Sequence, residues 1–161
     1  MLEEKPSKIA DLIERVNANS TGIFKRDSEL IVIVNKEISE IIGDSHIYLS
    51  EFIIAKVKGK VLGLGGHPKI TDEVMLRIPE SLSHPYKILE DNRRKNKKEY
   101  LFINMDPLHQ IVVEVERKPG GLTEINTIFD STPGELKRLE GKLPTVFSSG
   151  ETPVSRIRAS P

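Results

Sequence analysis

The sequence contains no cysteine and no tryptophan among its 161 residues, and aromatic residues make up only 5% of it. Without cysteine, the chain has no disulfide, no thiolate metal ligand and no cysteine nucleophile. Proteins that bind single-stranded nucleic acid by stacking bases on side chains rely on aromatic residues. The composition therefore argues against a base-stacking platform.

Long apolar stretches are absent as well. The apolar runs that are present extend over only a few residues, as in Leu30–Val34, whereas a transmembrane helix needs roughly 20 apolar residues. The N-terminal sequence MLEEKPSKIADLIERV carries acidic residues and lacks the apolar core of a signal peptide. We therefore expect a soluble, cytoplasmic protein without a membrane partner.

Neither sign of charge predominates, because Lys+Arg and Asp+Glu both total 24. A general nucleic-acid-binding protein is usually basic, so neutrality counts against non-specific binding. A local basic patch is present in the run RRKNKK at 93–98, which predicts nucleic-acid contacts at Arg93, Arg94, Lys97 and Lys98. The alternative interpretation of this run is a solvated hairpin loop.

The patterning predicts one α+β domain, with N-terminal helices packed on a mainly antiparallel sheet of three to five strands. A chain of this length suits a single domain, which we place at residues 1–142. Residues 143–161 are rich in Ser, Thr and Pro and predict a flexible tail.

Helices are predicted early in the chain. Apolar residues recur at helical spacing from Ile9 to Val16, and Ser50 is a good N-cap for a helix that should fray by Gly63. Thr71 is expected to cap a further helix, which Pro79 should kink or restart before Leu82.

An antiparallel meander is predicted in the second half, with strands near 86–89, 99–105, 110–117 and 122–130. In the third strand Ile111, Val113 and Val115 face one way while Glu114 and Glu116 face the other. Thr132-Pro133-Gly134-Glu135 forms a capping box and predicts a late helix that runs to about Glu140.

Several familiar chemistries are not supported by the motifs. The glycines at 63–66 are not followed by Gly-Lys-Ser/Thr, so a phosphate-binding loop is disfavoured. No HExxH is present, and the Gly-x-Ser-x-Gly of serine hydrolases is missing.

Metal-independent cleavage of RNA needs groups that transfer protons and groups that hold the phosphate. His67 can transfer protons near neutral pH, and the side chains of Lys56 and Thr127 can hold the phosphate. Each has a simpler interpretation. Lys56 can be a solvated lysine, His67 a loop residue and Thr127 a polar residue of the sheet.

Four segments carry a family resemblance: HIYLSEFIIAKVKGKVLGLGGHP, IPESLSHPYKILEDN, QIVVEVERK and LTEINTIFD. Their order is similar to that in phage-type members of the barnase–EndoU–colicin–RelE-like nuclease superfamily, over about residues 31–139. The resemblance implies an α+β fold and metal-independent RNA cleavage without a cofactor. It also implies a toxin or phage-derived effector, which could have an antitoxin or immunity protein as partner.

The resemblance places Ser50, Lys56, His67 and Thr127 at the motif-like positions. It implies that His67 transfers protons, that Lys56 stabilises phosphate charge, and that Ser50 and Thr127 position the substrate. The simpler interpretation of Ser50 is a helix N-cap. Phe129 stands where many relatives have tyrosine, so any role that depends on a phenol is in doubt. Two hypotheses follow: an endoribonuclease that uses 2′-hydroxyl attack, or a non-catalytic module that binds RNA or a protein through a decayed nuclease-like fold.

Overall fold

A computed structural model describes residues 4–105 and 110–150 and shows an α+β fold. The helices in these ranges are α1 (Ile9–Ala18), α2 (Lys36–Ile42), α3 (Glu51–Val57), α4 (Asp72–Leu76), α5 (Ile78–Ser83) and α6 (Pro133–Lys142). The strands are β1 (Ser28–Ile33), β2 (His46–Ser50), β3 (Lys87–Asp91), β4 (Lys98–Met105), β5 (Gln110–Arg117), β6 (Thr123–Ser131) and β7 (Thr145–Ser148).

All of these strands belong to one sheet, in the order β1-β2-β6-β5-β4-β3-β7. The meander from β3 to β6 is antiparallel, as the short connections predicted. β2 joins the meander by pairing in parallel with β6, where Ile47 lies opposite Thr123 and Tyr48 opposite Glu124. The sheet is therefore mixed.

The main hydrophobic core lies between one face of the sheet and the helices that precede β3. Its helical side includes Leu12 and Val16 of α1, which are fully buried, and Ile54 of α3. Its sheet side includes Val113 and Ile128, which lie opposite each other on β5 and β6. We call this side of the sheet the helix-covered face.

The other face carries a smaller core beneath α6. Leu136 of α6 and the adjoining Leu143 pack with Leu89, Leu101 and Val112 of the sheet. The predicted capping box is present, since Thr132 accepts a hydrogen bond from the Glu135 N–H and the Glu135 carboxylate accepts one from the Thr132 N–H. This second core covers only part of its face.

The sheet is larger than the predicted three to five strands. Residues 145–148, within the segment predicted to be a flexible tail, form β7 and pair antiparallel with β3. Ser and Thr in this segment indicated a tail, but Leu143 is 3% exposed and Val146 and Phe147 pack on the main core. The rest of the tail prediction, 151–161, lies outside the described residues.

The helices between β2 and β3 are shorter than predicted. α3 ends at Val57, and the chain then turns at Gly59, whose φ of +75° favours glycine. Pro79 restarts the helix, which is one of the two predicted outcomes, because it lies in the first turn of α5 and α4 ends just before it. In the described ranges, no helix is both long enough and apolar enough to cross a membrane.

Candidate functional site

The sheet face opposite the main core is divided into an apolar half and a polar half. Phe129 and Val112 lie opposite each other in the half beneath α6. Beyond them toward the β3–β4 loop, the next pair is Thr127 with Glu114, and the strands then present carboxylates. We call this second region the polar half.

Four carboxylates form a line across the polar half on four neighbouring strands. Successive members are direct cross-strand partners, so adjacent ones stand about 5 Å apart at the backbone. We call this line the acid row, and its members are Asp91, Glu99, Glu116 and Glu124. Such a line of like charges would be destabilising if its members had no partners.

Three members of the acid row are stabilised by a group of their own. Asp91 accepts two hydrogen bonds from the Arg93 guanidinium, at 2.9 Å and 2.7 Å, which hold the pKa of Asp91 below its ordinary value. Glu116 accepts a hydrogen bond of 2.8 Å from the Asn126 amide. Glu124 accepts from Ser28 and Lys118; although burial raises its pKa, these two bonds lower it overall.

Glu99 is bonded instead to another carboxyl group, that of Glu114. Glu99 is only 2% exposed, and Glu114 borders the apolar half beneath α6. Burial, the hydrogen bond with Glu99 and the nearby charges of Glu99 and Asp91 together raise the pKa of Glu114 to about 7. Because a hydrogen bond between two carboxyl groups requires a proton, the raised pKa allows Glu114 to take up or release that proton near neutral pH.

A β-bulge lies beside this pair. The pairing of β5 with β6 skips Asn126, so that Glu114 faces Thr127 while Val115 faces Ile125. Bulges redirect side chains and are common next to active sites. Here the bulge brings both Asn126 and Thr127 to the polar half, since the Asn126 amide reaches Glu116 and Thr127 lies opposite Glu114.

Lys56 is directed at the same bulge. It occupies the last turn of α3, and its Nζ donates a hydrogen bond of 3.1 Å to the backbone oxygen of Asn126. Lys56 therefore contacts the residue that precedes Thr127 in β6. In this structure the ammonium group of Lys56 holds the backbone that precedes Thr127.

His67 lies near the same strand but further along it. Its ring centroid is 6.3 Å from that of Phe129, which lies two residues beyond Thr127 on the same face of β6, in the apolar half. The glycine-containing loop after α3 positions His67 near this strand. The His67 N–H donates a hydrogen bond of 2.7 Å to the Val57 oxygen. His67 also lines a separate cavity of about 530 Å³ with Lys58 and Asp72.

Ser50 is the N-cap of α3, as the sequence predicted, and its Oγ accepts a hydrogen bond of 3.2 Å from the Ile53 N–H. It lines a cavity different from the one beside His67. The four residues selected from the sequence therefore surround β6 without converging on one point.

The basic run connects β3 to β4 at the edge of the polar half. Arg93 is paired with Asp91, while the exposed Arg94 acts electrostatically on both Asp91 and Glu114. Lys98 begins β4 opposite Arg117, and Lys97 precedes it on the exposed loop. Arg94 is thus the basic residue of this run whose charge acts on Glu114 and which, unlike Arg93, is not held by the ion pair with Asp91.

Sequence reasoning did not select Glu99 and Glu114. The alternation of β5 correctly placed Glu114 and Glu116 on the face away from the main core, but it gave no sign that this face is partly buried. Pairing the two predicted strands in register would have placed Glu99 opposite Glu116, which was the available signal. In the described ranges, no group of three or more histidine or acidic side chains is arranged to hold a metal ion.

The chain was compared with protein-family models, with curated proteins and with solved structures. None of them matches. The resemblance to nucleases noted in the sequence therefore stays a prediction.

Proposed function

We propose that this protein is a metal-independent endoribonuclease that cleaves RNA on the polar half of the sheet. The observation that carries the proposal is the carboxyl pair Glu99–Glu114, in which the pKa of Glu114 is raised to about 7. General acid–base catalysis is most effective when the pKa of the catalytic group lies near the working pH. Strongly shifted pKa values are also typical of functional sites.

The reaction needs two proton transfers. Glu114 in its ionised form takes the proton of the ribose 2′-hydroxyl, whose oxygen then attacks the adjacent phosphorus. The bond from phosphorus to the 5′-oxygen breaks, leaving a 2′,3′-cyclic phosphate, and an acid supplies a proton to the departing oxygen. We assign the acid role to His67, which lies on the same side of β6 through its contact with Phe129.

The remaining groups act on the phosphate. Arg94 supplies positive charge above Glu114, and the hydroxyl of Thr127, opposite Glu114 in the sheet, can donate to a phosphate oxygen. Lys56 supports this arrangement by holding the bulge, and Ser50 by capping α3. In a cell such an enzyme would act as a toxin or phage-derived effector and would require an inhibitory partner.

The decisive experiment is cleavage of labelled RNA in the presence of EDTA by the wild type and by Glu114→Gln and His67→Ala variants. Glu14→Gln is a matched control, because Glu14 is an exposed carboxylate on α1. We expect cleavage to fall by roughly 10²- to 10⁴-fold in the first two variants and to be unchanged in the control. The wild-type rate should also change with pH around the pKa of Glu114.

Two results would contradict the proposal. Cleavage that stops when EDTA is added would exclude a metal-independent mechanism. Cleavage that is equal in the wild type and the Glu114→Gln variant would show that the polar half is not the active site. Unmodified DNA, which lacks the 2′-hydroxyl nucleophile, should not be cut.

A non-catalytic RNA- or protein-binding module is the second candidate, and one observation favours it. Lys56 and Ser50 each make a hydrogen bond with the protein's own backbone, so two of the four residues singled out from the sequence have structural roles. The RNA version of this function predicts binding without turnover, with a steep dependence on salt. Substitutions at Lys97 or Lys98 should then weaken binding.

A further inference from the structure

A cavity of about 220 Å³ opens on the polar half where β1, β2 and β6 meet. Its lining includes Arg26, Ser50, Phe52, Lys118 and Asn126. It adjoins the acid row, because Glu124 also lines it and the Asn126 amide donates to Glu116. The cavity and the Glu99–Glu114 pair therefore belong to one continuous surface.

The charge of this cavity comes from Arg26. Its guanidinium carbon lies 3.8 Å from the centroid of the Phe52 ring, in a cation–π contact. No ion pair with a carboxylate is formed by Arg26 within the ranges that the structure describes. Lys118, in contrast, is paired with Glu124, so these two charges offset each other. The cavity thus presents one planar, uncompensated cation.

Ser50 adds a hydrogen-bond donor to the cavity. Its side chain accepts the Ile53 N–H through Oγ, which leaves the hydroxyl proton for another acceptor. Ser50 is only 5% exposed and lines the cavity, so its side chain belongs to the cavity wall. A buried donor beside a planar cation is complementary to a phosphate group, since guanidinium binds phosphate oxygens in bidentate geometry.

We propose that this cavity binds a phosphate-bearing nucleotide of an RNA chain, next to the segment that is cleaved at Glu114. This inference rests on the proposed function and extends it from a cleavage site to an extended substrate site. Ser28 on β1 and Glu114 on β5 are separated by three strand spacings, or roughly 14 Å. An occupant that reaches both must be an oligonucleotide, so the enzyme prefers oligonucleotides to dinucleotides.

The test measures binding without cleavage, with a fluorescent 2′-O-methyl RNA hexamer that lacks the attacking hydroxyl. Anisotropy titrations between about 50 and 200 mM salt give both the affinity and its salt dependence. We expect Arg26→Ala to raise Kd about tenfold and to reduce the slope of log K against log salt by about 0.7, the value for one lost contact with a single strand. Arg26 is exposed, so its replacement should leave folding intact.

Lys36→Ala is the matched control, because Lys36 is a 90% exposed cation on α2, whose buried residues belong to the main core. Its effect on Kd should be less than twofold. An Arg26→Ala variant that behaves like this control would overturn the inference, as would failure of the wild type to bind the hexamer. Displacement of the hexamer by polyglutamate at equal concentration would reassign the cavity to an acidic protein partner.

Cleavage and binding can fail separately. If the wild type does not cut unmodified RNA but Arg26→Ala still weakens hexamer binding tenfold, the ribonuclease proposal is wrong and the cavity remains an RNA site. If cleavage is observed and Arg26→Ala changes neither binding nor the rate on long RNA, the nuclease stands and the cavity has no part in it.

Discussion

At the scale of single residues, the polar half is distinguished by the carboxyl pair Glu99–Glu114, in which the pKa of Glu114 is raised. Asp91, Glu116 and Glu124 each accept a hydrogen bond from a donor or a cation, whereas Glu114 is hydrogen-bonded to Glu99 and the charges of Arg93 and Arg94 act on it only electrostatically. A site built only for stability would place a donor or a cation in hydrogen-bond contact with the pair, because two partly buried carboxylates cannot both ionise without cost. The pair is therefore the feature of this surface that a purely structural role explains least.

The raised pKa of Glu114 predicts a pH-dependent stability. An ordinary glutamate has a pKa of 4.5, whereas Glu114 in the folded protein has a pKa of about 7. Between these values the folded state holds a proton that the unfolded chain releases, so this group's contribution to stability falls as the pH rises through that window. A Glu114→Gln variant lacks this titration.

We expect Glu114→Gln to gain about 1 kcal/mol relative to the wild type between about pH 5 and about pH 8. The value is reduced from the full linkage energy because Glu114 is only half-buried. Urea unfolding at the two pH values measures this difference. A stability difference between the two proteins that is the same at both would contradict the assigned pKa.

The role of Lys56 can be tested separately. Its Nζ donates to the backbone oxygen of Asn126, so Lys56→Met should lower the free energy of unfolding by about 1 kcal/mol. For a protein of this size the melting temperature would fall by roughly 2–4 °C. An unchanged melting temperature together with lost RNA cleavage would instead place the ammonium group on the substrate phosphate.

At the scale of elements, the loop between α3 and α4 depends on a close approach of two glycines. A Cβ on Gly66 would lie 2.4 Å from the backbone nitrogen of Gly59 and 2.8 Å from the Val57 oxygen, which is too close for any side chain. Gly65 meets nothing within 4 Å. The loop leads directly into His67, so the close contact between Gly59 and Gly66 determines the position of the His67 backbone.

These two glycines provide a matched pair of variants. We expect Gly66→Ala to destabilise the protein by roughly 1–3 kcal/mol, because backbone has to move to accept the methyl group. Gly65→Ala should change stability by no more than about 0.5 kcal/mol. Thermal unfolding of both variants gives the comparison, and equal effects would mean that the close approach does not stabilise the loop.

Local chemistry predicted most elements of this fold. The Ser50, Thr71 and Thr132 caps are each present, because a cap depends only on residues within one helical turn. The meander followed from alternation and short links. The pairing of β2 with β6 and of β7 with β3 involves partners that are far apart in sequence, and periodicity carries no information about them.

The candidate site was harder to predict for the same reason. Lys56 and Thr127 were selected for their chemical types, and Lys56 contacts the residue that precedes Thr127 in β6. Glu99 and Glu114 belong to different strands, and the burial that shifts the pKa of Glu114 arises from strand neighbours such as Leu101, which lies opposite it on β4. Alternation alone makes both look like solvent-facing glutamates.

At the scale of the whole molecule, the fold continues past the boundary expected at residue 142. Leu143 is buried in the core beneath α6, and β7 covers the outer edge of β3. A chain ending at Lys142 should therefore be less stable than one ending at Gly150, by at least about 2 kcal/mol. It should also aggregate more readily, because β3 becomes an exposed edge.

Thermal unfolding and light scattering of the two truncated chains test this expectation. Comparing two shortened proteins with each other isolates the contribution of residues 143–150. Equal melting temperatures and equal scattering would show that β7 adds nothing to the sheet.

The parallel contact between β2 and β6 has a consequence for the order in which the protein folds. During synthesis, β1 and β2 emerge with α1 and α3 long before β6, since Ile47 pairs with Thr123. Until then β2 has a free edge, and the long loop closure needed to cover it slows folding relative to a protein built from local contacts. Assembly of the N-terminal half is therefore completed only when β6 arrives, and the polar surface forms in that same final step.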